Sequence, residues 1–259
     1  MHGAVIISPN YRLLPEVKGI DILNDFRNFW SWFSSGSPQQ HLENVGRSDV
    51  HLDLDKHLLI GESAGGYLAV QSVLSGMVRP HAMVLLYPML DMKSDYYNKA
   101  YEKAIVGVPN FPNNLIDEFV ASMNKTTPVT EVDPPSRLDL AIAMVHNGRV
   151  LEFLGQDPEL FPLEKVLEAK PSSAADGRIQ SIFPPILVTH GKDDSAVPAQ
   201  GSRTFVERLE RVDPYSRVHF VMQPGDHGFD AFSNAQDPWL SEALSFVTKE
   251  WLGCANSKI

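Results

Sequence analysis

The most specific chemical signal in this sequence is a serine flanked by glycines, in the segment Gly61-Glu62-Ser63-Ala64-Gly65-Gly66. The apolar run 57–61 predicts a buried strand, and residues 64–75 predict a helix. A serine at such a strand-to-helix turn projects its hydroxyl above the sheet, where it can act as a nucleophile. The backbone N–H of Ala64 then faces the negative charge that develops on an attacked carbonyl. The alternative interpretation is a tight turn that happens to carry a serine.

A serine hydroxyl needs a base that takes its proton and a carboxylate that orients the base. The segment His190-Gly191-Lys192-Asp193-Asp194 follows a predicted strand and carries two carboxylates. Its spacing, His-Gly-x-x-Asp-x-x-Val-Pro, resembles the acid loop of many serine hydrolases and selects Asp194, with Asp193 as the alternative. The segment Gly225-Asp226-His227-Gly228 follows the last predicted strand, and its flanking glycines let the ring of His227 turn towards the serine. A solvated turn carboxylate is the alternative role for either aspartate.

The elements that would position these residues form an α/β pattern, in which short β-branched runs alternate with segments of helical period. The expected fold is a mostly parallel sheet flanked by helices, and its carboxyl edge would gather the three chemical segments. The predicted strands are 4–7, 57–61, 83–87, 185–190 and 217–222. The predicted helices are a segment opened by Pro15-Glu16 with one apolar face, then 64–75, 199–211 and 238–252, and residues 34–55 are predicted to form a polar connection.

The rhythm changes between residues 91 and 184, where prolines recur and helix-like pieces are short. We predict that this region is a helical cap inserted into a core formed by residues 1–90 and 185–259. Six aromatic residues of the cap would cover a pocket for the acyl or alcohol part of a substrate, although ordinary packing explains any one of them equally well. These residues are Tyr96, Tyr97, Tyr101, Phe111, Phe119 and Phe153.

Composition excludes several classes of protein. The 259 residues are 43% hydrophobic, and 32 acidic against 22 basic side chains give a net charge of -10. That charge disfavours nucleic acid and anionic membranes as partners. No apolar run approaches the ~20 residues of a membrane helix, and no signal-peptide core is recognisable, so we expect a cytoplasmic protein. The single cysteine, Cys254, excludes an intramolecular disulfide, and no spacing of ligand residues predicts a metal or cofactor.

Four segments together resemble the hormone-sensitive-lipase-like branch of the α/β-hydrolases, a family of carboxylesterases and lipases. They are Tyr11-Arg12-Leu13-Leu14-Pro15-Glu16, the Ser63 segment, Tyr87-Pro88-Met89-Leu90-Asp91 and Asp226-His227-Gly228-Phe229. The resemblance implies that Ser63, Asp194 and His227 form a catalytic triad and that Ala64 provides one oxyanion donor. The family's His-Gly-Gly-Gly segment, which supplies the other donors, has no counterpart here. Losing one such donor lowers rates by roughly 10²–10³.

By the same resemblance, strands 1 to 3 of the family sheet are absent from this chain, and strand 3 is the one that separates the 4–7 strand from the strand before Ser63. Either these two strands pair directly, or another segment fills the gap, or the sequence is an N-terminally shortened version of a longer protein. We favour the third explanation.

The resulting functional hypothesis is a serine hydrolase that cleaves carboxylic esters of small or medium apolar substrates through an acyl-enzyme intermediate. Its expected partner is a small-molecule ester, and the sequence is compatible with a homodimer. The missing oxyanion segment motivates a second hypothesis, a catalytically impaired hydrolase-fold protein that binds a small molecule or a partner. A thioesterase, an amidase or a cyclising acyl-transfer enzyme of a biosynthetic pathway would use the same triad.

Overall fold

A computed structural model describes residues 3–124, 129–132, 136–173 and 176–253. Met1, His2 and Cys254 lie outside the described residues. The first part of the chain forms α1 (Gly19–Ser34), α2 (Ser37–Asn44), β1 (Leu58–Glu62), α3 (Ser63–Leu74) and β2 (Ala82–Leu86). The middle part forms α4 (Asp95–Asn98), α5 (Asn114–Ser122), α6 (Leu138–His146), α7 (Val150–Leu154), a 3₁₀ turn (Pro158–Leu160), α8 (Pro162–Glu168), β3 (Ser172–Ser173) and β4 (Ile179–Gln180). The last part forms β5 (Ile186–Gly191), α9 (Gln200–Val212), β6 (Val218–Gln223) and α10 (Pro238–Leu252).

Within the described residues, the central sheet contains four parallel strands in the order β1-β2-β5-β6. This arrangement confirms the predicted parallel α/β sheet, and each of these strands begins within one residue of its predicted start. All six residues of β5 are buried, as expected for a central strand of a parallel sheet covered on both faces. The short strands β3 and β4 form a separate antiparallel pair.

The prediction of a buried strand at residues 4–7 is wrong. This segment forms no strand, and Val5 and Ile6 are 49% and 90% exposed. The physical reason is the missing ladder: β1 pairs with β2 on one side, and no strand in the described ranges pairs with its other side. Without a partner, the backbone groups of residues 4–7 are left to water. Neither direct pairing nor a substitute segment closes the gap in the described residues.

The two faces of the sheet carry alternate side chains of the strands. Ala82, Val84 and Leu187 face α10, where they pack with Ala243 and Val247. Their neighbours along the strands contribute to the opposite core with α3, α8 and α9; the buried members include Met83, Leu85, Ile186, Val188, Leu163, Val166 and Phe205. The two-residue period therefore produces a three-layer arrangement. Within the described residues, no helix combines the length and apolar character needed to cross a bilayer.

The apolar face predicted for the first helix is buried. In α1, Leu23, Phe26, Trp30 and Phe33 lie at helical spacing and pack against cap residues such as Phe153. The helix begins at Gly19, later than Pro15, because Asp21 accepts a hydrogen bond from the Lys18 N–H and so caps the first turn. Residues 34–55 are not only a polar connection, since they contain α2, whose first turn carries Pro38 where a missing N–H is harmless.

The cap region contains packing of two kinds. Helices α5, α6 and α7 pack with α1 in one apolar cluster, and α6 closes over the carboxyl edge of the sheet. By contrast, α8 contributes Leu163 and Val166 to the cluster that contains the sheet residues. The predicted boundaries of the cap at residues 91 and 184 stay a prediction.

Candidate active site

Ser63 stands at the junction of β1 and α3 with a left-handed backbone, at φ 49°. A non-glycine residue in this region carries strain of about 1–3 kcal/mol, and such strain is concentrated at functional sites. Gly61 permits the turn, because a Cβ there would collide with the carbonyl oxygen of Gly65. Gly66 lets the helix approach the loop after β2, since its Cβ would lie 2.6 Å from Pro88 Cβ. Gly65 has open space around it, so the close approach of strand and helix depends on Gly61 and Gly66.

Ala64 is the second residue of α3 and lines the same cavity as Ser63. Backbone N–H groups in the first turn of a helix have no partner within the helix and lie at its positive end. The Ala64 N–H is therefore available to a negatively charged oxygen on a carbonyl attacked by Ser63.

Asp194 lies in the loop after β5 with its carboxylate fully buried. Its Oδ1 accepts hydrogen bonds from the N–H groups of Ala196 at 2.9 Å and Val197 at 2.7 Å. Its Oδ2 lies 2.9 Å from His227 Nδ1 and 3.2 Å from His190 Nε2. Burial alone raises the pKa of Asp194, but hydrogen bonds from His190, His227 and the Val197 N–H outweigh burial and hold it well below its usual value. The carboxylate is consequently ionised at neutral pH.

His227 lies in the loop after β6, with its ring packed against Tyr87 at a centroid distance of 4.5 Å. An ionised carboxylate can only accept, so the proton of a neutral ring lies on Nδ1, where Asp194 receives it. Nε2 is left with a free lone pair. Tyr87 follows β2 and donates its own hydroxyl proton to Glu62 Oε2 over 3.3 Å. Burial, aided by Asp230 and Glu62, raises the pKa of Tyr87, so its phenol stays protonated beside the ring.

Asp193, the alternative acid, occupies a different position. Its side chain is exposed and accepts one hydrogen bond, from the Gly225 N–H at 3.2 Å. In the described chain it makes no contact with His227 comparable to that of Asp194. The geometry thus favours Asp194 as the partner of the imidazole.

The acid loop and the base loop are joined by a second carboxylate. Asp226 Oδ1 accepts the N–H groups of Ser195 and of His227, both at 2.7 Å. The Ser195 hydroxyl donates to Asp226 at 2.9 Å and accepts the Val106 N–H at 2.8 Å. Tyr96 donates its hydroxyl proton to the Ser195 carbonyl. The residues next to Asp194 and His227 are therefore tied to each other and to the segment that follows α4.

Ser63 and His227 line one cavity of about 540 Å³, to which residues of α6 also contribute. In the described residues, no hydrogen bond joins the Ser63 hydroxyl to the ring. Catalytic hydrogen bonds are often long in a protein without its substrate, so this geometry is compatible with a nucleophile and base pair that tightens on binding. The cavity volume lies within the roughly 300–1,000 Å³ of small-molecule sites.

The walls of this cavity are mostly aliphatic. They come from the segment after residue 10, from the loop after β2, from the turn at 105–106 and from one face of α6: Leu13, Leu14, Met89, Met92, Ile105, Val106, Leu138, Ala141, Ile142 and Val145. Of the six cap aromatics, Tyr97 alone is among the lining residues within the described part of the chain. The α6 face repeats at positions i, i+3, i+4 and i+7, a sequence signal that could have identified it.

Arg137 is the one Lys or Arg side chain among the described lining residues, and its charge is already paired. Its two terminal nitrogens donate to the carboxylate of Glu16 at 2.7 and 2.6 Å. The side chains of Arg137 and Glu16 are 17% and 5% exposed, which makes this a largely buried ion pair. The cavity therefore offers a substrate no free cation from Arg137. Among the described residues, no cluster of three or more His, Cys, Asp or Glu side chains is arranged to hold a metal ion.

The chain is similar to known proteins in sequence and in fold. Residues 1–141 match the family described as alpha/beta hydrolase fold. The chain is similar to Probable carboxylesterase M8 of Phoma sp., with 27% identity over 96% of this chain and 75% of the relative. It is also similar to Probable carboxylesterase clz11 of Cochliobolus lunatus, with 29% identity over 76% of this chain and 87% of the relative. A solved structure, a Staphylococcus aureus protein described as of unknown function, shares the fold with a TM-score of 0.56 and 16% identity over 93% of this chain and 76% of that one.

Proposed function

This chain belongs to the α/β-hydrolase family, in its carboxylesterase-like branch, and from that membership and the site geometry we propose that it is a serine esterase. Its reaction is the hydrolysis of carboxylic esters through an acyl-enzyme intermediate. The observation that carries the proposal is the contact of 2.9 Å between Asp194 Oδ2 and His227 Nδ1, made by a ring that shares a cavity with Ser63.

The first half of the reaction forms the acyl-enzyme. His227 Nε2 takes the hydroxyl proton of Ser63 while Oγ attacks the ester carbonyl carbon. The imidazolium that forms is stabilised by the ionised Asp194, and the Ala64 N–H donates to the negatively charged carbonyl oxygen. His227 then returns the proton to the alkoxide, and the alcohol leaves.

The second half regenerates the enzyme. Water replaces the alcohol, His227 takes one of its protons, and the hydroxyl attacks the acyl carbonyl carbon. Collapse of the tetrahedral intermediate breaks the bond to Ser63 Oγ, which recovers its proton from His227. Asp194 keeps its charge throughout, because its hydrogen bonds favour the ionised form.

The substrate class follows from the cavity. Aliphatic walls favour apolar acyl or alcohol groups. A substrate carboxylate would be buried without a free cation, because Glu16 already pairs with Arg137. We therefore expect neutral esters of small or medium size to be preferred over charged esters and long-chain lipids.

The experiment combines covalent labelling with turnover. A fluorophosphonate probe should label the protein, and Ser63→Ala should abolish both labelling and hydrolysis of p-nitrophenyl butyrate. Ser241→Ala, on an exposed position of α10, is the matched control and should change neither. In a substrate series, the neutral butyrate should exceed both the palmitate and the negatively charged mono-succinate in kcat/KM by about 10-fold or more.

A folded protein that the probe does not label would contradict the proposal and favour a binding protein of this fold. Labelling without turnover of any oxygen ester would redirect it towards thioester or amide substrates, which the same three side chains can attack.

A further inference from the structure

His190 is a fully buried histidine next to the proposed triad, in the strand that leads to its acid. Its Nε2 lies 2.8 Å from the Val197 carbonyl oxygen and 3.2 Å from Asp194 Oδ2. Its Nδ1 lies 2.8 Å from the hydroxyl of Ser202, which is itself fully buried in α9. Both ring nitrogens therefore make hydrogen bonds, Nε2 within the acid loop and Nδ1 to α9.

These partners determine which nitrogen carries the proton. The Val197 carbonyl and the ionised carboxylate can only accept, so Nε2 must donate to them. Nδ1 of a neutral ring then accepts the hydroxyl proton of Ser202. A positively charged ring would need Ser202 to accept instead, and the buried hydroxyl proton would then lose the acceptor that Nδ1 provides. The geometry therefore favours the neutral ring with its proton on Nε2.

A neutral donor has a specific consequence for the carboxylate. It fixes the direction of Oδ2 without cancelling its negative charge, which stays available to the imidazolium that forms on His227. Oδ1 of Asp194 thus accepts from two backbone N–H groups, and Oδ2 accepts from the rings of His227 and His190. Rotation of the carboxylate would break at least two of these hydrogen bonds.

We infer that His190, held by Ser202, is a positioning residue that fixes the Asp194 carboxylate against His227. The inference rests on the proposed esterase function and names an additional pair of residues on which it depends. Among the interactions that lower the pKa of Asp194, the hydrogen bond from His190 has the largest effect. Because His190 does not line the substrate cavity, its loss should lower kcat and leave KM nearly unchanged.

The test uses substitutions that separate the donor from the volume of the ring. His190→Leu removes both ring nitrogens, whereas His190→Gln can keep an N–H near the position of Nε2. Ser202→Ala keeps the ring and removes the donor to Nδ1, so it remains informative if His190→Leu does not fold. Each is measured alone and together with Asp194→Asn, by the rate of fluorophosphonate labelling of Ser63 and by kcat and KM for p-nitrophenyl butyrate.

We expect His190→Leu to lower kcat and the labelling rate about 10- to 100-fold, the range typical of a group that orients another functional side chain. His190→Gln should recover activity to within about five-fold of the wild type. In the Asp194→Asn background the same Leu substitution should cost less than about three-fold, because the carboxylate that it positions is gone. Ser202→Ala should show the same dependence on Asp194 with a smaller loss.

His146 provides the matched control, since it is 2% exposed and both its ring nitrogens also bind backbone groups, the Phe111 N–H and the Lys103 carbonyl. His146→Leu should lower thermal stability, and its effect on labelling should be the same with Asp194 or Asn at the acid position. Equal losses for His190→Leu in the two backgrounds, or no recovery with Gln, would overturn the positioning role while leaving the esterase proposal intact. A wild-type protein that is not labelled at all would overturn both.

Discussion

The choice between the two adjacent aspartates gives the sharpest prediction. In Asp194→Asn, the amide must place its oxygen on one side and its NH₂ on the other. If the NH₂ faced the N–H groups of Ala196 and Val197, two partly buried backbone donors would lose their acceptor, at up to about 1–3 kcal/mol each. The oxygen therefore stays on that side, and the NH₂ faces His227.

An NH₂ group facing the ring reverses the tautomer. His227 Nδ1 must now accept, so the ring proton moves to Nε2, the nitrogen that should take the proton of Ser63. His190 Nε2–H loses the carboxylate oxygen as an acceptor but keeps the Val197 carbonyl, so this orientation costs less than leaving two backbone donors unpaired. The same substitution in a serine hydrolase triad lowers kcat by about 10⁴, and we expect a loss of that order here. Asp193→Asn should stay within about two-fold, because an amide oxygen can still accept the exposed hydrogen bond from Gly225.

The measurement is kcat and KM for p-nitrophenyl butyrate, with thermal melting to establish that both variants are folded. A loss for Asp193→Asn equal to or larger than that for Asp194→Asn would refute the assignment of the acid. So would a folded Asp194→Asn variant that retains more than about a tenth of the wild-type kcat, since a ring with its proton on Nε2 cannot take the proton of Ser63.

Three further predictions concern stability. The hydrogen bonds to Asp194 lower its pKa, so the ionised carboxylate stabilises the fold above the unfolded pKa of about 3.9, and this stabilisation is lost as pH falls towards the folded pKa. The free energy of unfolding, measured in urea, should therefore fall more steeply between about pH 5 and pH 2 for the wild type than for Asp194→Asn, and equal slopes would contradict this. Gly66→Ala should lower the free energy of unfolding by about 1–3 kcal/mol, whereas Gly65→Ala, with open space at the same end of α3, should raise it by about 0.5–1 kcal/mol. Denaturant titration measures both values, and a Gly66→Ala variant more stable than Gly65→Ala would contradict the packing described for Gly66. Arg137→Met should cost about 3–5 kcal/mol because Glu16 is left buried and unpaired, and adding Glu16→Gln should recover part of that loss; a double variant no more stable than the single one would refute the ion-pair explanation.

Sequence patterns predicted the parts of the fold that depend on local information. β-Branched runs followed by segments of helical period predicted the first residues of β1, β2, β5 and β6 to within one residue. The prediction succeeded because the backbone of each run pairs with a neighbouring strand. Residues 4–7 carry the same local signal and form no strand, since their ladder partner is missing from the described chain. A sequence window reports the preference for a strand but not the presence of its neighbour.

The site shows the same division. Ser63, Asp194 and His227 follow from short spacings because each lies in the first residues after a strand, where the carboxyl edge of the sheet gathers them. The cavity walls other than α6 and the proposed role of His190 did not follow, because they depend on contacts between distant elements. His190 contacts a serine 12 residues later in α9, and no motif marks that pair.

Ser195 connects the proposed triad to the turn at Val106, which lines the cavity. The role of Ser195 therefore differs from that of His190, whose ring makes hydrogen bonds to the acid loop and α9. The Val106 N–H that Ser195 accepts belongs to a turn whose β-branched residue is held at φ 44°, a conformation that costs about 1–3 kcal/mol. Val106 also lines the cavity, and the same Ser195 hydroxyl donates to Asp226, beside His227. Ser195→Ala removes both hydrogen bonds, so the turn can relax away from the substrate while the base loop loosens. We expect KM to rise and kcat to fall, each about three- to ten-fold, as two hydrogen bonds of ordinary strength imply. Steady-state kinetics on p-nitrophenyl butyrate distinguishes this pattern from a loss in kcat alone, which would mean that Ser195 acts on the triad and not on the cover.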